Sequence, residues 1–563
     1  MPRLLKHLAT TYFSFDSRSL AAFRVALATT LFADLWLRYR VLDAFYTNEG
    51  ILPNHTLLWA APTRYMFSLF FSASHHGDAL VLMLLCGLCF ALLLVGLFTK
   101  LAQILSLLAV ISLDVRLAPL ENGGDMVLSL LCIWSVFLPL GERFSFDAVR
   151  RSLRRREEQS PAQLNERAPI RTPARRVYSL ACCALILQFF AIYLFNVLHK
   201  NGPTWLSGEA VHYALHQDRI VKWPGVWVRE HASVEVLRAL TYVTIGCESL
   251  AALLMINPFG RRYTNLLALA VLPAMHVTFD SFIDVGVFSF AMVTFYPLLI
   301  EPSHWQWLTG RLARWHRERV VFVDADCGFC LLCARLLARL DVFERLEFAS
   351  NADLERLPSG ITLEMADESI TTFEPARGRV LRGAAAVAAL LRSLPLGFLL
   401  AVPMQLPGLR NLAELVYARV ARNRLQISIW LGYGACGLPL PAAGAANLPE
   451  APAAAARWWA RLCLVAREAC VLLYLLAATS NLLNANAAVP AALRHEAPKL
   501  FDMLVQYPRA FQGWRMFAPH APLEDYMLEV DAVTLDGRHV DPFNAVASRV
   551  PGPGYTEIPE RLN

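Results

Sequence analysis

Long apolar runs separated by short polar segments dominate the pattern of hydrophobic and polar positions. A helix needs about 20 residues to cross a hydrocarbon core of roughly 30 Å. Nine runs approach that length, near residues 19–38, 79–98, 101–118, 125–141, 178–199, 235–256, 263–280, 284–300 and 460–483. This pattern predicts a mainly α-helical polytopic membrane protein with about nine spans.

The pattern changes between the eighth and ninth runs and again after the ninth. Residues 318–430 mix strand-like and helix-like stretches, which predicts an inserted α/β domain. In the tail, an alternating stretch that turns at Asp536-Gly537 predicts a β-hairpin, and hence a small β-rich region. The predicted domains are a transmembrane domain of about eight helices at 1–302, the insert at 318–430, an Ala/Pro/Gly-rich linker at 431–457, a final transmembrane helix at 458–484 and an extracytoplasmic tail at 485–563.

Composition and charge agree with a membrane location. Hydrophobic residues make up 56% of the 563 positions and charged residues 17%, which is too apolar for an ordinary globular protein of this size. Lys and Arg cluster near residues 150–176, 261–262 and 311–319 and at the N-terminus. Nine alternating spans place these clusters on one side, which is then the cytoplasmic side. We therefore expect a bacterial inner-membrane protein with a cytoplasmic N-terminus and insert.

A short motif in the insert carries candidate redox chemistry. The strand-like Val320–Val323 leads into Cys327-Gly-Phe-Cys330, and an amphipathic helical pattern follows. This is the layout of a thioredoxin-like redox turn, where a thiolate at a helix N-terminus is favoured by unpaired N–H groups. Cys330, one turn later, can close a redox-active disulfide. Asp324 and Asp326 oppose a thiolate by like charge, and either can carry a proton during exchange.

A third cysteine, Cys333, leaves two other interpretations open, a metal site and inert cysteines. An iron–sulfur run would need a fourth cysteine where Leu337 stands. A zinc site would need a second pair of Cys or His, and the insert has neither. We therefore favour a redox pair and predict no metal.

Ionisable residues within or beside the apolar runs form a second group of candidates, because such residues are costly in a bilayer and tend to be paired or functional. Lys200 ends an apolar run and precedes a turn and Trp205. A desolvated lysine there can act as a general base or nucleophile, whereas a lysine that snorkels to the interface is the alternative. The group suggests a polar cavity that opens to the outer face, and comprises Arg24, Asp34, Asp114, Arg116, Glu121, Asp125, Lys200, Glu248, His276, Asp280 and Asp284.

The insert resembles the DCC family of thiol-disulfide oxidoreductase-like proteins, named for the motif Asp-x-x-Cys-x-x-Cys. Asp324, Cys327 and Cys330 match that motif. Downstream, Arg382–Ala386 is similar to the family's Gly-Ser-x-Ala element, and Tyr417–Arg424 to its closing Tyr-x-x-x-Ala-x-x-Arg. The resemblance implies a thioredoxin-like fold with thiol-disulfide chemistry at the cysteine pair.

Motifs outside the insert resemble the HTTM family, which comprises vitamin K-dependent γ-carboxylase and its bacterial relatives. In the carboxylase, a lysine followed five residues later by tryptophan is the proposed base that activates the reduced vitamin, and Lys200 with Trp205 matches this pattern. The resemblance implies a reduced quinone as cofactor, such as vitamin K hydroquinone or menaquinol, together with O2 and CO2. His199 and His276 are weaker candidates for assisting the base. The similar segments are Ser19–Arg24, Phe45–Pro53, Asn122–Asp125, Leu138–Gly141, Lys200–Gly208 and Trp514–Pro519.

Two functions follow as expectations. The leading one is a carboxylase-like membrane enzyme with Lys200 as base at the outer face, fused to the cytoplasmic dithiol of Cys327 and Cys330. The alternative is a membrane-anchored thiol-disulfide oxidoreductase or peptide-maturation factor without carboxylase activity. The expected partners are the lipid bilayer and an exported peptide or protein substrate. Nucleic-acid binding is not expected, because the basic runs lie where membrane topology requires them.

Overall fold

The computed structural model describes residues 2–59, 65–157, 174–315, 319–324, 327–342, 344–351, 357–395, 397–431, 454–524, 532–541 and 556–557. The chain divides into two compact units, which are described separately. The first unit comprises Met1–Leu140, Arg176–Ile300 and Cys463–Asn563. The second comprises Gly141–Arg175 and Glu301–Leu462.

The first unit is helical, with a two-stranded antiparallel pair formed by β1 (Ser14–Asp16) and β2 (Arg176–Tyr178). Local capping explains where two of its long helices begin: the Asp16 carboxylate accepts from Arg18 N, and the Ser179 hydroxyl accepts from Ala181 N. Its described helices are Pro2–Tyr12, Ser17–Tyr39, Leu42–Phe45, Asn54–Trp59, His76–Val95, Thr99–Arg116, Gly123–Val136, Leu180–His199, Pro203–Leu206, Ala210–Leu215, Trp223–His231, Val234–Ile256, Arg261–Phe282, Phe288–Phe295, Lys499–Gln506 and the greater part of Ala454–Ala485.

Six helices in the described part of the chain are long and apolar enough to cross a membrane, as expected for an integral membrane protein. They are Ser17–Tyr39, His76–Val95, Leu180–His199, Val234–Ile256, Arg261–Phe282 and Arg457–Ala485. The prediction of nine spans is not matched by nine such helices. Thr99–Arg116 carries three charged residues, Gly123–Val136 has 14 residues, and the apolar helix Phe288–Leu299 is also short. These three apolar runs are interrupted by charge or by a turn before they reach spanning length.

Buried ion pairs account for several of the ionisable residues in the apolar runs. Arg38 donates to Asp34, Asp114 and Asp125 over 2.7–2.8 Å, and all four side chains are less than 10% exposed. Ser129 adds a further hydrogen bond to Asp114. A charge that is paired inside a helical unit avoids the full cost of burial. This group is therefore part of the architecture that holds three helices together.

The second unit contains a four-stranded sheet. Strand β3 (Arg319–Val323) pairs in parallel with β4 (Leu346–Ser350) and antiparallel with β5 (Thr371–Glu374), which pairs antiparallel with β6 (Arg379–Arg382). The strand order across the sheet is therefore β4-β3-β5-β6. The Gly328–Leu340 helix connects β3 to β4, as a parallel pair requires. The other described helices of this unit are Phe146–Glu157, Pro302–Trp315, Leu363–Glu368, Gly383–Arg392, Phe398–Ala401, Leu409–Arg422, Arg424–Trp430 and the start of Ala454–Ala485.

The core of the second unit joins this sheet to the helix that follows β3. Val321 and Val323 alternate toward one face of the sheet and pack with Ala334, Leu346 and Leu390. Because the inward-facing residues of β3 are fully packed, the end of the strand is held in a defined position. The motif that follows the strand is positioned by this packing.

The C-terminal tail contains the predicted hairpin. Strand β7 (Ala532–Val533) pairs antiparallel with β8 (His539–Asp541), which also pairs with β9 (Thr556–Glu557). Gly537 takes a φ of 83°, which the tight turn requires and which glycine adopts without steric cost. Most of the predicted linker lies outside the described residues, which resume at 454.

Candidate functional site

The predicted dithiol lies where strand β3 meets the Gly328–Leu340 helix. Cys327 is the residue immediately before this helix, and Cys330 lies in its first turn. The carboxylate of Asp324 accepts a hydrogen bond from the backbone N–H of Cys327 at 3.2 Å, across the short turn between the strand and the helix. One carboxylate oxygen of Asp324 and the sulfur atoms of Cys327 and Cys330 all lie within 4.8 Å of one another. Asp326, the other predicted acidic residue, lies outside the described residues.

The two cysteines have different surroundings. Cys327 is fully buried, whereas Cys330 is half-buried. The pKa of Cys330 is raised, first by its hydrogen bond with Cys327 and then by burial, and the charge of Asp324 adds to the effect. Burial, together with the charge of Cys327, also raises the pKa of Cys333 to about 11. The raised pKa keeps the proton on Cys330, which shares it with the sulfur of Cys327.

An arginine from the end of the domain contacts the acidic member of this group. Arg424 lies 3.5 Å from the Asp324 carboxylate and also donates to the backbone carbonyl of Asp367 at 2.5 Å. Its positive charge lowers the pKa of Cys330, opposing the other influences. Nearby, the Tyr417 hydroxyl accepts from Ile370 N at 2.7 Å. The closing Tyr-x-x-x-Ala-x-x-Arg element therefore contacts the sheet through its tyrosine and the dithiol site through its arginine.

The same three groups are also a potential set of metal ligands. A carboxylate and two thiolates are ligand types that zinc accepts, and three ligands would leave one tetrahedral position open. The set differs from the one considered from sequence, because Asp324 rather than Cys333 joins Cys327 and Cys330. The salt bridge from Arg424 competes for the same carboxylate, which favours dithiol chemistry over metal binding at this position.

A second candidate site surrounds Lys200 in the first unit. Lys200 directly follows the Leu180–His199 helix, and its amine forms a salt bridge with Glu248 of the Val234–Ile256 helix. The two side chains are 3% and 5% exposed. Burial lowers the pKa of Lys200, and Glu248 opposes that shift. Asn196 donates to the second carboxylate oxygen of Glu248 at 2.9 Å. The predicted base therefore lies in a buried group of three polar side chains.

Trp205 lies directly beside this group. The amine of Lys200 is 4.7 Å from the centre of the Trp205 ring, within the range of a cation–π interaction. The indole N–H of Trp205 donates to the carbonyl oxygen of Phe517 at 2.7 Å. The spacing of five residues between lysine and tryptophan thus brings the two side chains together, because a turn separates them.

The C-terminal Trp-Arg-Met-Phe-Ala-Pro element packs against the Lys200 loop. The backbone N–H of Met516 donates to the Asn196 side chain at 3.2 Å, and the N–H of Gly202 donates to the carbonyl of Pro519 at 3.1 Å. A Cβ atom at Gly202 would lie 2.2 Å from that carbonyl oxygen, so the close approach requires glycine. Two motifs that are more than 300 residues apart in the chain therefore build one site.

A pocket of about 130 Å³ opens beside the lysine. Its polar lining is concentrated at Asn196, Lys200 and Glu248, while most of the wall is aliphatic or aromatic. Such an arrangement suits a largely apolar ligand that has one polar end. The lining residues are Asn196, Lys200, Trp205, Ala210, Val211, Ala214, Leu215, Leu240, Thr244, Glu248, Thr278, Phe279, Phe282, Ile283, Val285, Phe288, Met516 and Phe517.

The two predicted histidines lie in different surroundings. His276 is buried, its Nε2 atom is 2.9 Å from the Tyr193 hydroxyl, and its ring packs edge-on against the pocket residue Phe288. Its Nδ1 atom has no hydrogen-bond partner among the described residues. His199 instead uses both ring nitrogens on the backbone, with Nδ1 3.0 Å from the Trp514 carbonyl and Nε2 accepting from Ala488 N. His199 thus holds the C-terminal segment in place.

Sequence reasoning did not assign three residues that the structure places at these sites. Glu248 was one of many ionisable residues in apolar runs, and only its position in the fold identifies it as the partner of Lys200. Asn196 lies four residues before Lys200, one helical turn away, which is a usable signal for a shared face. Arg424 belonged to a family-like motif without an assigned role.

Comparison with known proteins identifies one part of the chain. Residues 321–430 match the family model of the DCC1-like thiol-disulfide oxidoreductases. No curated protein and no solved structure matches the chain significantly. The matched range begins in strand β3 and ends with the Arg424–Trp430 helix, so it includes the cysteine pair and Arg424. The resemblance of the insert to the DCC family is thereby confirmed, and the chain carries a DCC1-like thiol-disulfide oxidoreductase domain.

Proposed function

We propose that this protein is a membrane-anchored oxidoreductase that exchanges thiols and disulfides through Cys327 and Cys330. The observation that carries the proposal is the convergence of both sulfur atoms with the Asp324 carboxylate at the start of a helix, inside the segment that matches the DCC1-like family. The strand order, with a parallel β-α-β half followed by an antiparallel hairpin, supports a thioredoxin-like fold for this domain. The membrane helices serve as the anchor.

The exchange begins with a local opening that exposes the buried Cys327, whose thiolate then attacks a substrate disulfide. The substrate S–S bond breaks, a mixed disulfide forms at Cys327, and the departing substrate thiolate takes a proton. Cys330 then attacks the sulfur of Cys327 and releases the second substrate thiol. Asp324 lies close enough to accept the proton that Cys330 must lose. The substrate is reduced by two electrons, and the cysteine pair becomes a disulfide.

Oxidised glutathione tests this sequence of steps without knowledge of the natural substrate. The Cys330→Ser protein should accumulate a mixed disulfide with glutathione at Cys327, because the resolving thiol is absent. Cys327→Ser should give none at this pair, and the neighbouring Cys333→Ser should behave like the unmodified protein. Peptide mapping by mass spectrometry assigns the adduct. Glutathione on Cys330 of the Cys327→Ser protein, with none on Cys327 of the Cys330→Ser protein, would overturn the assignment of roles.

We also propose a second activity for the first unit, in which Lys200 acts as a base toward a reduced quinone. The specific support is a buried lysine on a tryptophan ring at the polar end of an apolar pocket. The pocket suits a quinone ring with an apolar tail, and the lysine, once it has passed its proton to Glu248, would accept a proton from the hydroxyl group of the reduced ring. Glu248 and Asn196 would hold the amine in place. The resemblance to HTTM proteins favours this activity and extends it to carboxylation of an exported peptide.

Turnover with menaquinol, with O2 as the electron acceptor, tests the second activity. Lys200→Ala should abolish quinol oxidation by the purified protein, because the proposed proton acceptor is then missing from the polar end of the pocket. Lys222 provides a matched control, since its amine pairs with Asp280 at a partly exposed position. Lys222→Ala should leave turnover within about twofold of the unmodified protein. Unchanged turnover in Lys200→Ala would remove the second proposal and leave the dithiol proposal intact.

A further inference from the structure

An exposed apolar face distinguishes the Leu409–Arg422 helix of the second unit. The helix has no buried residue. Leu409, Leu412, Leu415 and Val416 recur at helical spacing and are 46%, 55%, 67% and 52% exposed. In a soluble domain, residues with this spacing normally face the core. Here they face outward, so the helix has an apolar stripe that needs a partner.

The apolar surface extends beyond this helix. Phe398, Leu399 and Leu400 of the Phe398–Ala401 helix are 51%, 58% and 64% exposed. This short helix and the Leu409–Arg422 helix both pack against the Gly383–Arg392 helix. Exposed apolar surface on this scale marks an interaction site rather than an ordinary solvated surface.

The charge beside the apolar stripe indicates what the surface contacts. Arg419 and Arg422 continue the same helix face in its last turn, and both are exposed. Between Phe398 and Trp430 the chain has four arginines, of which Arg424 is engaged with Asp324 inside the domain, and a single acidic residue, Glu414. That carboxylate accepts from the backbone N–H of Ala384 and is thereby engaged within the domain. The surface is therefore apolar and cationic.

We propose that this surface docks on a phospholipid bilayer that contains anionic lipids. An apolar stripe flanked by arginines is the pattern by which a helix lies in the membrane interface, with its leucines among the acyl chains and its cations at the headgroups. A bilayer is always within reach, because the described part of the chain has six helices of membrane-spanning character, one of which covers Arg457–Ala485. Docking would hold the dithiol close to the membrane and favour substrates located at its surface.

Photo-crosslinking of the full-length protein tests this contact. Benzoylphenylalanine at position 415, in nanodiscs of phosphatidylcholine with phosphatidylglycerol, should give phospholipid adducts at least fivefold above those at position 379. Arg379 is a suitable control, because it is exposed on strand β6 of the same domain. Replacing phosphatidylglycerol with phosphatidylcholine should reduce the adducts at position 415.

Two crosslinking results would overturn the proposal. One is equal lipid labelling at the two positions, and the other is a crosslink from position 415 to protein instead of lipid, which would identify a protein partner. As a second measurement, the Leu412→Glu/Leu415→Glu protein should lose lipid-dependent protection of residues 409–422 from hydrogen exchange. Unchanged protection would also refute the contact. Cys327→Ser should crosslink normally, so failure here is distinguishable from failure of the redox proposal.

Discussion

The salt bridge between Lys200 and Glu248 makes a quantitative prediction about the first unit. The two side chains are almost completely buried, and Glu248 has Asn196 as its other hydrogen-bond donor. Removing one member of a buried ion pair costs about 3–5 kcal/mol, because the other charge is left without compensation. Glu248→Gln and Lys200→Met should each reduce the free energy of unfolding by that amount.

The double variant separates charge pairing from simple loss of contacts. With both charges absent, the side-chain amide at position 248 can still bond to Asn196, and no buried charge remains. The double variant should therefore be much less destabilised than the two single variants together, which corresponds to a coupling energy of about 3 kcal/mol. Unfolding by SDS titration in mixed micelles measures all four proteins under one condition.

A partly exposed pair provides the control for this experiment. Lys222 and Asp280 are 36% and 26% exposed in their side chains, and a solvent-exposed pair contributes about 0–1 kcal/mol. Asp280→Asn should therefore change the unfolding free energy by no more than about 1 kcal/mol. If Glu248→Gln also costs only about 1 kcal/mol, the value of a neutral hydrogen bond, then the amine of Lys200 is uncharged and the reasoning fails.

Two further changes test contacts at the candidate sites. Gly202→Ala should weaken docking of the C-terminal segment, because the new Cβ atom would lie 2.2 Å from the carbonyl oxygen of Pro519. Limited proteolysis should then cleave the tail faster. Gly77→Ala is the control, because a Cβ atom there meets nothing within 4 Å and cleavage should stay unchanged. Arg424→Gln should raise the pKa of Cys330 further, because the arginine lowers it. Less of the reactive thiolate is then present, so alkylation of Cys330 should slow at a pH below that pKa. The expected factor is roughly fivefold, which corresponds to a lost charge interaction of about 1 kcal/mol. An unchanged rate across pH would contradict the role of Arg424.

The dithiol could be located from sequence because its chemistry is local. Cys327 and Cys330 are three residues apart, and the strand before them and the helix after them both have clear periodic patterns. Their geometry follows directly from a helix that begins between them. Arg424 approaches the same site from the far end of the domain, and no local pattern shows that contact.

The lysine site illustrates the opposite case. Lys200 and Trp205 could be paired from sequence because a short turn joins them, but Glu248 comes from a separate helix and Met516 from the C-terminal segment. Contacts between distant segments depend on tertiary packing, which periodicity does not encode. The apolar pattern likewise identified nine runs without showing that Asp114 and Asp125 are paired with Arg38 inside the unit.

The number of crossings determines on which side of the membrane the dithiol operates. The helices Thr99–Arg116 and Gly123–Val136 are consecutive. If both cross the membrane, or if neither does, the orientation of the later segments is the same. Phe288–Leu299 stands alone, and its 12 residues would span about 18 Å as a helix, less than a roughly 30 Å hydrocarbon core. The basic cluster that follows, at residues 311–319, favours a crossing, because Lys and Arg are retained on the cytoplasmic side. A cytoplasmic dithiol therefore requires the whole stretch 284–300 to cross. A membrane-impermeant maleimide should then label the Arg379→Cys protein, at an exposed position of the same domain, only after the membrane is permeabilised. Labelling from outside intact spheroplasts would show that this stretch turns back, and would place the exchange chemistry in the oxidising compartment.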